Sequence, residues 1–269
     1  MNNWRLINSG SQTGAMNMAL DDALLHSVAN GLSQPILRFY RWHPATVTLG
    51  YAQSVDTDLD LDVCNKAGLD VVRRSTGGRA VLHDHEVTYA VIAPLNSGVF
   101  SGSVLDCYRV IAEVLQKTLL QIGLPARLVP GKLRGGHQNA TKAVCFSAPS
   151  QYELVIEGRK VAGSAQKRHG QAFLQHGSIP IDMDLDLLGR ALKTEENKAT
   201  AGSLESIGWL NRWSEKKLTI SEVESALVEV FTTHLQIEWE LSEPTSVELE
   251  EAESLYTDKF SCPAWNLRR

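Results

Sequence analysis

A cysteine acts as a nucleophile only when its surroundings favour the thiolate, because an ordinary thiol with a pKa of about 8.5 is mostly protonated at neutral pH. The chain carries four cysteines, Cys64, Cys107, Cys145 and Cys262. They are scattered with no C-x-x-C pair, which argues against a disulfide framework and against a structural zinc site. For Cys64, Cys107 and Cys262 the expectation is a small buried hydrophobe. Cys145 stands apart, because Ser147, Pro149 and a glycine-rich stretch before it mark a chain reversal and because a cation, Lys160, lies beside the first turn of the strands that follow. Lys160 reads as a charge partner for a carboxylate or thioester carbonyl, as a nucleophile, or as an exposed residue after a turn. Position alone favours the exposed residue.

A second candidate is the stretch Arg73 to His83, Arg-Arg-Ser-Thr-Gly-Gly-Arg-Ala-Val-Leu-His. Gly77 and Gly78 let backbone N–H groups face an anion or a polarised carbonyl, and Arg73, Arg74 and Arg79 add positive charge. A tight turn with solvated arginines is the plainer account. The concentration of three arginines, Thr76 and His83 in one short stretch favours a ligand loop. It matches neither G-x-x-x-x-G-K-[ST] nor G-x-G-x-x-G. Gly163, Ser164 and Ala165 are poor strand formers in the middle of a strand pattern, which predicts close approach by a ligand or another backbone. His83, His85 and His176, with Asp84 and Glu86, show no metal-ligand spacing, so no metal is expected.

The elements that must position these residues follow from periodicity. Tyr152, Leu154 and Ile156 alternate with Glu153 and Val155, and turns at Glu157-Gly158-Arg159 and His169-Gly170 predict a β-meander. Ahead of it, Pro130 to Lys142 is glycine-rich and nearly devoid of apolar residues and reads as a mobile loop. Its basic residues, Lys132, Arg134 and Lys142, with Arg127, are candidates for meeting an acidic partner, and an ordinary solvated loop explains them equally well. Trp4 to Asn8 reads as an edge strand, and Asn17 onward as an amphipathic helix ended by Gly31. Ile36 to Tyr40 and Thr46 to Tyr51 read as a strand pair, Asp56 to Gly68 as a short helix, and Leu69 to Arg73, Ala80 to Leu82 and Val87 to Ala93 as strands. Ser103 caps a long helix running to Gly123. After Asp182 helices are expected at Leu185 to Leu192, Ala201 to Trp213 and Ser221 to Leu235, with capping boxes at Ser221/Glu224 and Thr245/Glu248.

Strands in the middle and helices at both ends predict an α+β fold, with residues 1–200 as the catalytic domain and 201–269 as a helical extension packed on it. With 43% hydrophobic residues the chain of 269 can bury a substantial core. A net charge of −5 and no basic-aromatic run argue against nucleic acid. There is no signal peptide pattern and no apolar run of the roughly 20 residues that cross a bilayer, so a cytoplasmic protein with no membrane contact is expected.

Four segments together resemble the lipoate-protein ligase and octanoyltransferase family, which shares its catalytic fold with biotin-protein ligases. They are Asn17-Met18-Ala19-Leu20-Asp21, the Arg73 to His83 loop, Gly158 to Gln166, and Gln175-His176-Gly177-Ser178-Ile179. The resemblance implies a class II synthetase-like domain with a central mixed, largely antiparallel sheet flanked by helices. It further implies an acyl-binding tunnel lined by Arg73, Thr76, Gly77, Gly78, Arg79, His83, Gly163, Ser164 and Ala165, with Lys160 at the acyl carbonyl. Val144-Cys145-Phe146, followed by Ala148-Pro149-Ser150, most resembles the cysteine-dependent octanoyltransferases of Gram-positive bacteria, in which this thiol holds octanoate as a thioester. That implies Cys145 and Lys160 as catalytic residues, octanoyl-acyl carrier protein as donor, and the glycine cleavage H protein or another lipoyl domain as acceptor. No cofactor and no ATP are implied, and a monomer is expected because the acceptor needs access to the tunnel mouth. Two other readings stand beside it: an ATP-dependent lipoate or octanoate ligase working through an acyl-adenylate, and a non-catalytic acyl-binding protein.

Overall fold

The computed structural model describes residues 2–95, 98, 100–130, 152–192 and 204–268. Their elements are β1 (Asn3–Gln12), α1 (Gly14–Ala29), β2 (Ile36–Trp42), β3 (Thr46–Leu49), α2 (Val55–Asp58), α3 (Leu61–Lys66), β4 (Asp70–Arg73), β5 (Val81–His83), β6 (Glu86–Pro94) and α4 (Val104–Gln121). There follow β7 (Arg127–Pro130), β8 (Tyr152–Ile156), β9 (Arg159–Lys160), β10 (Gly163–His169), β11 (Ala172–Pro180), α5 (Leu185–Ala191), α6 (Ile220–Leu235), β12 (Glu238–Leu241), α7 (Ser246–Leu255), a π-turn (Tyr256–Phe260) and α8 (Pro263–Asn266).

A six-stranded sheet in the order β10-β11-β6-β2-β1-β12 forms the frame. Its β10, β11, β6 and β2 run antiparallel in turn, while β1 is parallel to both β2 and β12. The fold is thus α+β with a mixed, largely antiparallel central sheet, as expected. β6 is buried on both faces, which suits its valines, isoleucine and tyrosine. Val87, Tyr89 and Val91 join α4 and α6 in one core, and Ala90 and Ile92 join α1 in the other. Two three-stranded sheets flank the frame, β4-β3-β5 and β7-β8-β9.

Local signals read true where short-range chemistry decides. Ser103 caps α4 through a capping box with Asp106, Thr245 caps α7 through one with Glu248, and Gly158 and Gly170 take positive φ in their turns. Long-range pairing corrects the rest. β1 is not an edge strand, because β12 pairs along its outer side. β2 and β3 are not partners: the chain leaves the central sheet at Trp42 and enters the small sheet at Thr46. The meander is divided likewise, with β8 and β9 in the third sheet and β10 and β11 in the first. The Asp56 to Gly68 helix is two short ones. Among the described residues of 201–213 only a single 3-10 turn, Leu210–Arg212, is helical beyond Leu204.

The box at the start of α6 is Thr219/Glu222 rather than Ser221/Glu224. Glu224 is engaged elsewhere: its Oε1 lies 2.6 Å from Arg41 Nη1 as an ion pair without the alignment of a hydrogen bond. α6 buries Val223, Leu227, Val230 and Phe231 in the same core as α4, and β12 adds a strand to what was expected to be a purely helical segment.

Candidate active site

The face of the central sheet that carries α1 also carries a small cavity, open at one side, between β2, β6, β10 and β11 below and β5 above. Its apolar walls are Met18, Trp42 and Val81. Gly163 and Ala165 of β10 stand opposite Ser178 and His176 of β11 and leave the space unfilled. Gly177 between those two is demanded by the other face, where a Cβ would sit 2.6 Å from Tyr89 Oη. The same hydroxyl lies 2.8 Å from Ser164 Oγ, so Tyr89 braces the floor from beneath. Small residues in mid-strand therefore mark both a cavity and a close aromatic neighbour.

Two buried histidines face the cavity, each held between a carboxylate at Nδ1 and a threonine hydroxyl at Nε2. His83 Nδ1 is 2.7 Å from Glu86 Oε1 and its Nε2 2.8 Å from Thr48 Oγ1. Arg74 Nη1 donates to that same Thr48 oxygen. The Glu86 carboxylate accepts the Nδ1–H, and because burial disfavours a second ring proton, Nε2 accepts from the Thr48 hydroxyl. That is neutral imidazole, in keeping with a pKa lowered by burial, which outweighs the opposing pull of Glu86. Glu86 also accepts from Thr88 (2.5 Å) and from Ser178. Trp42 stacks on the His83 ring, centroids 4.2 Å apart, and donates its indole N–H to Thr88 at 2.8 Å.

At the second histidine, His176 Nδ1 is 2.9 Å from Asp21 Oδ2 and Nε2 2.7 Å from Thr76 Oγ1. Asp21 accepts from Tyr40 Oη at 3.0 Å and from Arg38 Nη1 at 2.6 Å. Arg38 also donates to Asn17 Oδ1 at 2.8 Å, which ties the first turns of α1 to β2. Burial, with Asp21 beside it, raises the Tyr40 phenol well above its ordinary pKa, so it stays a donor.

Of the residues expected to bind substrate, His83, Gly163, Ser164 and Ala165 line the cavity, and Thr76 reaches it through His176. Arg74 lines it too, but Nη2 is turned to the carbonyls of Gly77 (3.0 Å) and Arg79 (2.9 Å). Arg73 is 0% exposed and points away, its guanidinium spent on backbone carbonyls. Gly77, Gly78 and Arg79 form the turn outside the lining. Gly50 packs so tightly under that turn that a Cβ on it would lie 2.1 Å from the Gly78 carbonyl oxygen. Arg73 and Arg74, which read as solvated or ligand-facing charge, thus hold the loop together.

Lys160 is not the exposed residue its position suggested. It is 6% exposed, with Nζ 3.4 Å from Glu153 Oε1, its N–H donating to Ser206 O at 2.8 Å and its carbonyl accepting from Gly208 N at 2.9 Å. It lies outside the cavity lining. Cys145 and the Pro130 to Lys142 loop, apart from the Pro130 backbone, lie outside the described residues. Cys64 and Cys107 are buried as expected, and burial pushes the Cys64 thiol up to about 11. Cys262 is half-buried instead, its Sγ 3.2 Å from Thr257 O.

Sequence reasoning missed Asp21, Arg38, Tyr40, Trp42, Glu86 and Thr88 as parts of the site. The signal was present in β2, where Arg38, Tyr40 and Trp42 alternate onto one face of the strand. Among the described residues no helix is long and apolar enough to cross a membrane, and no group of His, Cys, Asp and Glu is arranged to hold a metal ion.

Residues 13–232 match the lipoyl protein ligase A/B catalytic domain family, running past the boundary expected at residue 200. The chain is 40% identical to octanoyltransferase LipM of Staphylococcus aureus, over 99% of both chains. It is also 40% identical to octanoyltransferase LipM of Bacillus subtilis, over 99% of this chain and 98% of that one. Among solved structures, a lipoate-protein ligase A bound with ATP superposes with a TM-score of 0.83 at 27% identity, covering 98% of each chain.

Proposed function

The chain belongs to the lipoyl protein ligase A/B catalytic domain family and is an acyltransferase of the octanoyltransferase type; from that premise we propose that it moves octanoate from octanoyl-acyl carrier protein to the lysine of a lipoyl domain such as the glycine cleavage H protein. The observation that carries the substrate class is the cavity. The polar residues that line it, Tyr40, Arg74, His83, Thr88, Ser164, His176 and Ser178, are already hydrogen-bonded to protein partners, and Met18, Trp42, Val81 and the bare floor at Gly163, Ala165 and Gly177 make up the rest. Such a cavity welcomes an unbranched alkyl chain. Burying six methylenes at about 0.8 kcal/mol each is worth about 5 kcal/mol.

In the mechanism the Cys145 thiolate attacks the donor thioester carbonyl, the carbon-sulfur bond to the carrier breaks, and the carrier thiolate leaves and takes a proton. One thioester replaces another at little cost. The neutral amine of the acceptor lysine then attacks the octanoyl-cysteine, loses its proton and leaves as the amide, returning the Cys145 thiolate. Amide formation from a thioester is downhill, so ATP is not needed. The Lys160 ammonium stabilises the negative charge that develops on the carbonyl oxygen in both steps. Glu153 Oε1 stands 3.4 Å from the Lys160 Nζ. Residues 1–200 carry the acyl site in this reading, residues 201–269 pack against it, and the protein works as a cytoplasmic monomer that both carriers reach in turn.

The test is the intact mass after incubation with octanoyl-acyl carrier protein, with octanoate plus ATP as the parallel sample. The expected result is a hydroxylamine-labile octanoyl adduct in the first sample that disappears in Cys145→Ala, together with loss of transfer. Acceptor octanoylation confined to the ATP sample would make the protein a ligase and Cys145 a bystander.

A further inference from the structure

Arg73 sits at the root of the loop that brings Arg74 to the acyl cavity, and its buried guanidinium divides its hydrogen bonds between two distant segments. Nη1 donates to Gly50 O (3.0 Å) and Gln53 O (2.6 Å), in the turn beneath Gly78. Nε donates to Trp265 O (3.1 Å), and Nη2 to Asn266 O (3.1 Å) and Arg268 O (2.8 Å). The Arg73 backbone is held from the same side, its N–H by Asn266 Oδ1 (2.9 Å) and its carbonyl by the Trp265 indole N–H (2.9 Å). Two side chains thus take the hydrogen-bonding edge that a neighbouring strand would otherwise pair with on β4. Two residues along, Ser75 Oγ donates to Asp22 Oδ1 (2.6 Å), and Lys259 Nζ reaches Asp22 Oδ2 at 2.8 Å. Burial would raise the Asp22 pKa, but Lys167 and Lys259 outweigh it and keep the carboxylate charged.

We propose that Tyr256–Arg268 is a clasp that positions the acyl-site loop: it fixes Arg73 and Ser75, and thereby the two residues that meet the cavity, Arg74 directly and Thr76 through His176. The clasp acts on acyl binding rather than on the transfer chemistry, because neither Cys145 nor Lys160 belongs to the loop. It rests on the octanoyltransferase reading for its kinetic readout.

The variants are Asn266→Ala, which removes the bonds to the Arg73 N–H and to Phe260 O, and Lys259→Met, which keeps the stem but drops the charge at Asp22. The expected result for each is a KM for octanoyl-acyl carrier protein raised about tenfold, with kcat within about threefold of wild type. Hydrogen exchange should accelerate at residues 74–79, and Lys259→Arg should restore the wild-type KM. Should Asn266→Ala fail to fold, the Lys259 pair decides. A folded variant with lowered Tm, unchanged KM and unchanged exchange in the loop overturns the clasp and leaves the segment a stabilising strap. Absence of transfer by the wild-type protein would count against the octanoyltransferase reading instead, and the clasp would then stand or fall on the exchange measurement.

Discussion

The two histidines of the cavity share a pattern and differ in where their carboxylate finds its counter-charge. Asp21, beside His176, is paired directly with the Arg38 guanidinium at 2.6 Å. Glu86, beside His83, receives its contacts from neutral donors, the imidazole N–H and the hydroxyls of Thr88 and Ser178. Arg74 stands at the far end of that chain, behind Thr48 and His83. One arrangement is an ion pair that locks α1 to β2; the other is a hydrogen-bonded relay through an imidazole that burial keeps neutral against the substrate space. Equal motifs therefore carry unequal charge loads.

The largest effect should come from Asp21→Ala, which leaves a fully buried Arg38 without its carboxylate. Such a loss costs on the order of 3–5 kcal/mol, read as a lower midpoint in denaturant unfolding. Glu86→Gln keeps one acceptor oxygen and strands no paired cation, so about 1–3 kcal/mol is expected. Equal losses for the two variants would break the comparison.

The smallest effect is a pH dependence that belongs to the His83 site. Burial lowers its pKa in the folded protein from 6.5, so the unfolded chain takes up the proton first as pH falls. Stability from this group is complete above about 6.5 and declines as pH drops below it toward the folded value. His83→Gln should flatten that part of the stability-pH curve, and an unchanged slope would remove His83 as its source.

Legibility divides along sequence distance. The caps of α4 and α7 and the turns at Gly158 and Gly170 are settled within four residues, and each reads off the chain. At α6 the chain offers two overlapping boxes, Thr219/Glu222 and Ser221/Glu224, and local chemistry cannot choose between them. Arg41 does, by taking Glu224 from another part of the chain. Lys160 follows a turn and so looks exposed, yet Glu153 and the Ser206–Gly208 segment bury it. Alternating β-strand patterns say which residues share a face but not which strand lies alongside, so β2 with β3, and the two halves of the meander, look like pairs.

The residue types at the acyl site were determined by the sequence alone: the glycines and alanine that leave room, the histidines, and the loop of arginine and glycine whose resemblance to a known family identifies the chemistry. Only the tertiary structure decided what the arginines do. A guanidinium can face a ligand or bind backbone carbonyls, and Arg73 meets the carbonyls of Asn266 and Arg268, close to two hundred residues away, because folding brings that segment against β4. Hydrogen-bond acceptors for a buried charge are supplied by whatever the fold places beside it, and no local pattern encodes that neighbour.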